Sequence, residues 1–377
     1  MKILHTIPSL KLSAGGPSTC TYHLLKGLNA IGVQADILTL SSKEAGENIG
    51  TDDFIKRVPF DATSPLVYSC NFKKYLQKHT NYDLYHANAI WSFPSHDTRV
   101  IAKNRNKPFV LATHGMLYPQ AIQVSSWKKK MTLSLFQRKD LEMADCLQAT
   151  CETELMHIRQ FGLKNPVAII PNCLYLPVIP EIRRKENSIR RFAFVGRIHP
   201  IKNIDLLIRA WIRLGAKTKD AELLIIGDGD VAYKQKLKEL SETHSLGNIH
   251  FLGFLHGDKL QEVTSSLDFQ LLPSKSENFG MVVPEALIQG IPVIAGKGTP
   301  WQELETHHCG WWIESTVDAL AQTLEQALSM DEDTRKVMGA NGQRLVLENY
   351  TMDTIAWKMR QLYDYLLNGI HTDLIKF

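Results

Sequence analysis

Two glutamates eight positions apart, in Glu277-Asn278-Phe279-Gly280-Met281-Val282-Val283-Pro284-Glu285, are the most informative chemistry in this chain of 377 residues. Carboxylates accept hydrogen bonds from neighbouring hydroxyls, so two of them a loop and a helical turn apart can grip two different sugar rings. The apolar run Phe269–Leu272 ahead of them reads as a strand, ended by Pro273-Ser274, and a helix is expected from Gly280 to Gln289. Glu277 then stands in front of the helix and Glu285 just inside it. The amides of Asn278, Phe279, Gly280 and Met281 fall at the helix N-terminus, where free N–H groups suit phosphate oxygens. The bland reading is a loop acid and an acid on a half-exposed face.

Two cations stand in a comparable place. In FAFVGRIHPIKN a buried strand runs into Gly196, and Arg197 and Lys202 follow it five residues apart, around the mouth of the next helix. Arg by its fork and Lys as a point charge can clamp a diphosphate there; as isolated residues they would be surface charges. The first strand ends in a loop closing with Gly15-Gly16-Pro17, a corner where backbone can approach a phosphate closely. It matches neither GxGxxG nor GxxxxGK[ST], and a plain turn explains it equally well. No DxD-type acidic pair stands in a comparable position, so no metal is expected.

These residues need a scaffold, and the hydrophobic pattern supplies one. Short apolar runs alternate with helical patterns throughout, the grammar of βαβ units and parallel sheets. Strands are expected at Lys2–Ile7, Gln34–Leu40, Asp83–Ala87, Pro108–Thr113, Asp145–Ala149 and Val167–Ile170, then at Arg191–Val195, Leu223–Ile226, Ile249–Leu252, Phe269–Leu272 and Pro292–Ala295. Helices are expected at Pro17–Ile31, Asn203–Leu214, Ala232–Glu242, Gly280–Gln289, Val317–Ser329 and Thr354–Leu367. Pro171–Ser188, with three prolines and the charged run RRKENS, is the linker candidate. The expected organisation is α/β, with two Rossmann-like doubly wound domains at 1–180 and 189–353. Ligands of such sheets sit outside the carboxyl ends of the strands, so two facing domains would share one cleft.

Length and composition agree with this. At roughly 150 residues per domain the chain has room for two cores. No run approaches the roughly 20 apolar residues of a spanning helix, and MKILHTIPSL is too broken by His5 and Pro8 for a signal h-region, so a cytoplasmic protein is expected. The six cysteines form no CxxC pair, which points to reduced thiols rather than zinc or disulfides. A net charge of +4 is too mild for a nucleic-acid binder. The halves differ, however: residues 1–180 carry 20 Lys and Arg against 13 Asp and Glu, the remainder 23 against 26. The first half is suited to something anionic.

Taken together, Glu277 and Glu285, GRIHPIK, Gly15-Gly16 and NFGMVVPEALIQGIPVIAGKGTP resemble retaining glycosyltransferases of family 4, which have the GT-B fold and an E-x7-E element. The resemblance runs over essentially the whole chain. It implies that the second domain holds a nucleotide-sugar donor: Glu285 on the ribose, Glu277 on the donor sugar, and the amides of 278–281 on sugar and phosphates. Arg197 and Lys202 would neutralise the diphosphate, with the Gly16 amide reaching it from the other domain. The backbone around Phe254, in FLGFL, would face the base, and His114, in THGML, would lie beside the sugar and the reaction centre. It further implies that the final helix, 354–377, crosses back onto the first domain. Configuration would be retained by same-face attack, the departing phosphate taking the acceptor's proton; a double-displacement nucleophile is the competing mechanism, without a well-placed candidate. Glu277 is a positioning group in this view. One loop departs from the family: where an IPNG-Asp sequence is usual, this chain has Ile170-Pro171-Asn172-Cys173-Leu174-Tyr175, and no role is carried onto it.

The acceptor side is read from residues alone. His86, Asn88 and Trp91 follow the strand 83–87 and Tyr118 follows His114; each can meet a sugar or simply pack. Within 123–139, WKKKMTLSLFQRK carries five cations and no acid, with Trp127, Met131 and Leu135 on one stripe. Such a segment suits anionic lipid, although Arg138 falls on the stripe and Phe136 opposite it. The expectation is therefore a metal-independent transferase acting from a UDP-sugar, or secondly a GDP-sugar, onto a lipid-linked glycan of a bacterial envelope or exopolysaccharide. It needs no cofactor. A sugar-phosphate synthase or nucleotide-sugar epimerase of the same architecture is the alternative, and a non-catalytic glycan- or membrane-binding subunit would have no need of the four charged residues together.

Overall fold

The computed structural model describes the chain apart from residues 12–14, 42–47, 62–65, 177–188 and 243–246. Most of the expected linker, including RRKENS, lies outside the described residues. Two compact units are present, one from Met1–Tyr175 with Tyr350–Phe377, the other from Leu176–Asn349.

In the first unit, strands β1 (Lys2–Ser9), β2 (Gln34–Leu40), β3 (Ile55–Val58), β4 (Leu84–Asn88), β5 (Phe109–Ala112), β6 (Cys146–Ala149) and β7 (Val167–Ile169) form a parallel sheet in the order β7-β6-β5-β4-β1-β2-β3. The C-terminal strand Ile375–Lys376 adds to β7 antiparallel. This last strand and β3 were not expected: the one has two residues, and the other, IKRV, is an edge strand with two cations and is buried only at Ile55, so neither reads as an apolar run. The strand order reverses at β1, which pairs with β2 on one side and β4 on the other and so creates a switch point at its carboxyl end.

Every residue of β4 is buried, as a strand covered on both faces requires. Its Tyr85 and Ala87 join one core, and Leu84 joins the other, with Leu24, Leu25 and Leu28 of the helix Gly16–Ala30 and Ile355, Met359, Leu362 and Tyr363 of the helix Met352–Asn368. These two helices cross at Gly27, where a Cβ would come within 2.8 Å of the Met352 side chain. The C-terminal helix is thus built into the core of the first unit. The departing loop is tied to it: Leu174 N–H donates to the Tyr350 carbonyl at 2.7 Å, and Met352 N–H to Leu174 at 3.1 Å. Cys173, where the family has glycine, is buried against this core.

In the second unit β8 (Arg190–Val195), β9 (Ala221–Ile226), β10 (Ile249–Gly253), β11 (Phe269–Leu272), β12 (Val293–Gly296) and β13 (Gly310–Ile313) run parallel in the order β10-β9-β8-β11-β12-β13. Its switch point lies between β8 and β11. The strand β13, GWWI, was not expected.

Two expected helices differ in form. Gly280–Gln289 is helical only over Val282–Leu287, because Gly280 sits at φ 81 and Gly290 at φ 71, in the left-handed region, while Pro284 lacks a donor. The basic segment is not one helix over 123–139. Ser125 at φ 53 separates Pro119–Gln123 from Ser126–Thr132, and a π-helical turn, Leu133–Gln137, leads into Arg138–Glu142. Phe136, opposite the stripe, is buried against Phe93 and His96, with ring centroids 5.2 and 4.7 Å away. Arg138 turns aside to pair with Glu142 at 2.6 Å. Trp127, Met131 and Leu135 remain exposed together. Among the described residues no helix is long and apolar enough to cross a membrane.

Candidate active site

The second unit gathers charged side chains at the carboxyl ends of β8 and β11. After β8 the backbone turns through Gly196, Arg197 and a short 3-10 turn, Pro200–Lys202, into the helix Ile204–Leu214. His199 Nδ1 accepts from Ile201 N–H at 3.2 Å, and Asn203, left-handed at φ 58, donates its amide to the Pro273 carbonyl at 3.2 Å. Lys275 N–H bonds the Ile201 carbonyl at 2.9 Å and Glu277 N–H bonds Gly298 at 2.9 Å. The loops after β8, β11 and β12 therefore hold one another in place.

On this frame Lys202 and Glu277 form a direct ion pair, their side chains 17 % and 16 % exposed. Ser274 Oγ donates to the same carboxylate at 3.3 Å. Separate partners were expected, diphosphate for Lys202 and sugar for Glu277; in the free protein each neutralises the other. Arg197 is exposed and, among the described residues, has no acidic partner. Glu285 keeps solvent access in the first turn of its helix, yet desolvation by the protein around it raises its carboxyl above the usual range, so it is a reachable acid in a recess.

Gly280 is required twice over: its φ of +81 disfavours any side chain, and a Cβ there would lie 2.9 Å from Leu272 and 3.1 Å from the Glu277 Cγ. Phe279 is buried beside Trp301, which donates its indole N–H to the Phe279 carbonyl, so only its backbone belongs to the site. The helix starts at Val282 and has six residues. Its macrodipole is correspondingly short, and the amides at 280 and 281 offer local hydrogen bonds rather than a long-range field. Phe254, just past β10, is 70 % exposed and stacked on His256.

In the first unit Gly15 at φ 87 caps the helix Gly16–Ala30, and a Cβ built on Gly15 or Gly16 would meet nothing within 4 Å. His114 follows β5 at φ 47, and its Nε2 lies 3.4 Å from Asn88 Oδ1. Burial lowers its pKa from the ordinary value, against the pull of Glu154. Sequence reasoning missed Glu154. Fully buried on the helix Glu152–Gln160, its Oε1 accepts from the Thr113 hydroxyl at 2.6 Å and from Gly115 N–H, and its Oε2 from Thr150 N–H and hydroxyl at 2.8 and 2.9 Å. The two donors on Oε1 flank His114 and the two on Oε2 come from Thr150, so one carboxylate ties the strained turn that carries His114 to the end of the neighbouring strand. The sequence signal was a glutamate in the first helical turn after the strand Cys146–Ala149.

The acceptor set needs correction. His86 is fully buried, with Nδ1 2.9 Å from the Tyr363 hydroxyl, because it points from β4 into the helical core rather than to the sheet's end. Tyr118 is buried too, its ring packed on His157 at 4.4 Å. Neither lines a surface. Asn88 joins His114, Gln148 and Asn172 around a small pocket whose other walls include Leu24 and Ile355. Trp91 is half-buried, with its amide on Gln137 at 2.6 Å and Lys129 5.9 Å over its ring. Among the described residues no group of three His, Cys, Asp or Glu side chains is placed to hold a metal ion.

Two parallel-sheet Rossmann-like units in one chain define the GT-B class of fold. Residues 15–173 match the family described as glycosyl transferase 4-like domain, and residues 178–345 match glycosyl transferases group 1. The chain belongs to these GT4-type glycosyltransferases. An uncharacterized glycosyltransferase of Methanocaldococcus jannaschii, MJ1178, is 27 % identical over 97 % of this chain and 99 % of its own. A second from that organism, MJ1607, is 33 % identical over 45 % of this chain, and the match spans 43 % of that relative. Among solved structures, HepE of Anabaena in complex with UDP and glucose superimposes with a TM-score of 0.72 at 17 % identity, covering 97 % of this chain and all of that one.

Proposed function

We propose that this protein transfers a sugar, with retention of configuration and without a metal, from a nucleoside-diphosphate sugar to a lipid-linked glycan at the cytoplasmic face of a bacterial membrane. The observation that carries the reading is the Lys202–Glu277 pair, held by three interlocked loops at the second switch point, with open Arg197 and recessed Glu285 nearby. Breaking a sugar–phosphate bond leaves an oxocarbenium-like sugar and an anionic diphosphate, so stabilising the leaving group is the main task. Donor binding would turn Lys202 and Arg197 to the diphosphate and release Glu277 to the sugar hydroxyls. Glu285 takes the ribose. Gly16 and His114 enter on the family resemblance. The acceptor oxygen attacks the face from which phosphate departs, and its proton passes to that phosphate.

UDP is the favoured nucleotide, supported by the UDP complex of the Anabaena protein, with GDP second. The lipid-linked acceptor is supported by the exposed Trp127, Met131 and Leu135 among Lys128, Lys130 and Lys139, which have no acidic partner among the described residues, a surface that suits anionic headgroups. A thermal-shift series with UDP-, GDP-, ADP- and dTDP-sugars tests the donor, since a tightly bound ligand stabilises by mass action. A shift with a UDP-sugar alone is expected; a shift with none of the four overturns the proposal.

A further inference from the structure

Beneath His114 runs a chain of buried polar groups whose hydrogen-bond directions follow from one fixed acceptor. The Thr6 carbonyl lies 3.3 Å from Asn88 Nδ2 and can only accept, so the amide turns its nitrogen there and its Oδ1 toward Thr21 Oγ and His114 Nε2, each 3.4 Å away. The same Nδ2 is 3.3 Å from His5 Nδ1, which must accept. The His5 proton therefore sits on Nε2 and is donated to the Tyr363 hydroxyl oxygen at 2.7 Å. The Tyr363 proton is left for His86 Nδ1 at 2.9 Å, which places the His86 proton on Nε2, facing Gln148 without a well-formed hydrogen bond. The His5 and His86 rings lie 4.4 Å apart, so neither can turn alone.

Burial keeps every member neutral: His5 is pushed down to about 3, His86 well below its ordinary value, and the Tyr363 hydroxyl well above its own. With no charge to move, the chain acts by direction alone. At its open end Asn88 Oδ1 can only accept, so His114 carries its proton on Nε2 and leaves Nδ1 bare.

We propose that Asn88 is a positioning residue for His114: anchored through its Nδ2 on the Thr6 carbonyl, it presents Oδ1 to the imidazole and thereby fixes which His114 nitrogen is protonated. The tautomer claim stands on the hydrogen-bond geometry; its kinetic consequence rests on the reading of His114 as a group beside the reacting sugar.

The test uses the full chain labelled with 15N-histidine, at a pH where His114 is neutral, with its ring signals assigned by their loss in His114→Ala. In the parent protein Nδ1 is the unprotonated nitrogen. Asn88→Leu keeps the volume of the buried side chain but removes the acceptor that faces His114 Nε2. His114 is then expected to show averaged nitrogen shifts, with kcat down roughly tenfold or more and the donor KM within about twofold. His114 shifts unchanged in Asn88→Leu would overturn the proposal. If that variant does not fold, Asn88→Ala is read by the same shifts. Averaged shifts in Asn88→Leu, with His114→Ala transferring sugar at the parent rate, would uphold the positioning and refute the site reading instead.

Discussion

Replacing Lys202 by methionine separates what the Lys202–Glu277 pair does for folding from what it does for transfer. Methionine keeps the length and apolar stem of lysine but removes the charge. Both partners are about five-sixths buried, so the loss exceeds the usual surface value of about 0–1 kcal/mol. It stays below the 3–5 kcal/mol of a fully buried pair, because Ser274 and water still serve the carboxylate. About 1–2 kcal/mol follows, or roughly 5 °C in the melting temperature of a unit this size, which leaves the protein folded at 25 °C. Removing a group that meets charge developing in the transition state costs about 10²–10³ in kcat. Thermal melts and steady-state transfer kinetics on one preparation compare the two effects. Arg197→Ala is the control: exposed and without an acidic partner among the described residues, it is expected to change stability by less than about 0.5 kcal/mol and still lower transfer. A folded Lys202→Met variant that keeps more than a fifth of the parent kcat would refute leaving-group stabilisation by Lys202.

Gly16→Ala meets no protein atom, so the melting temperature is expected to hold within about 2 °C while the donor KM rises several-fold; an unchanged KM means no ligand approaches there. The fully buried His5 and His86 set an acid limit. Unfolded imidazoles bind protons below about pH 6.5, whereas folded His5 does so only near 3. The unfolded state therefore binds more protons in this window, and stability falls by about 1.4 kcal/mol per pH unit for each such histidine as pH drops from 6.5 toward 3. A melting temperature that is flat between pH 6.5 and 5 would count against it. Paired Trp127→Ala and Leu135→Ala changes are expected to weaken co-sedimentation with anionic vesicles several-fold, and high salt to do the same; equal binding to neutral vesicles would argue against the lipid reading.

The parallel-sheet frame was legible because strands buried on both faces are nearly continuous apolar runs, as in the strand Phe269–Leu272, whose bounds the pattern placed correctly. The strands Ile55–Val58 and Gly310–Ile313 escaped because they are sheet-edge strands buried only at their first residue: IKRV carries two cations and GWWI opens on glycine, so neither is a continuous apolar run. In the basic segment the helical period placed Phe136 opposite the stripe of Trp127, Met131 and Leu135, and the structure buries the one and exposes the other; what the period could not show is the break at Ser125 and the π-helical turn at Leu133–Gln137. In the site, Arg197, Lys202, Glu277 and Glu285 were legible from charge type beside strand ends. Glu154 was not, because a carboxylate that clamps a backbone turn looks in sequence like any acid in the first turn of a helix.

By itself the sequence determined which residues bear charge, where strands end, and hence which loops can meet a ligand, since these follow from local composition and period. Only the tertiary structure decided how those groups are used. It paired Lys202 with Glu277 across 75 residues, withdrew His86 into the core, and brought Tyr363 onto His5 from 358 positions away. Pairings at such separations depend on which helix covers which face of a sheet, and that is set by packing of the whole core rather than by any local run of residues.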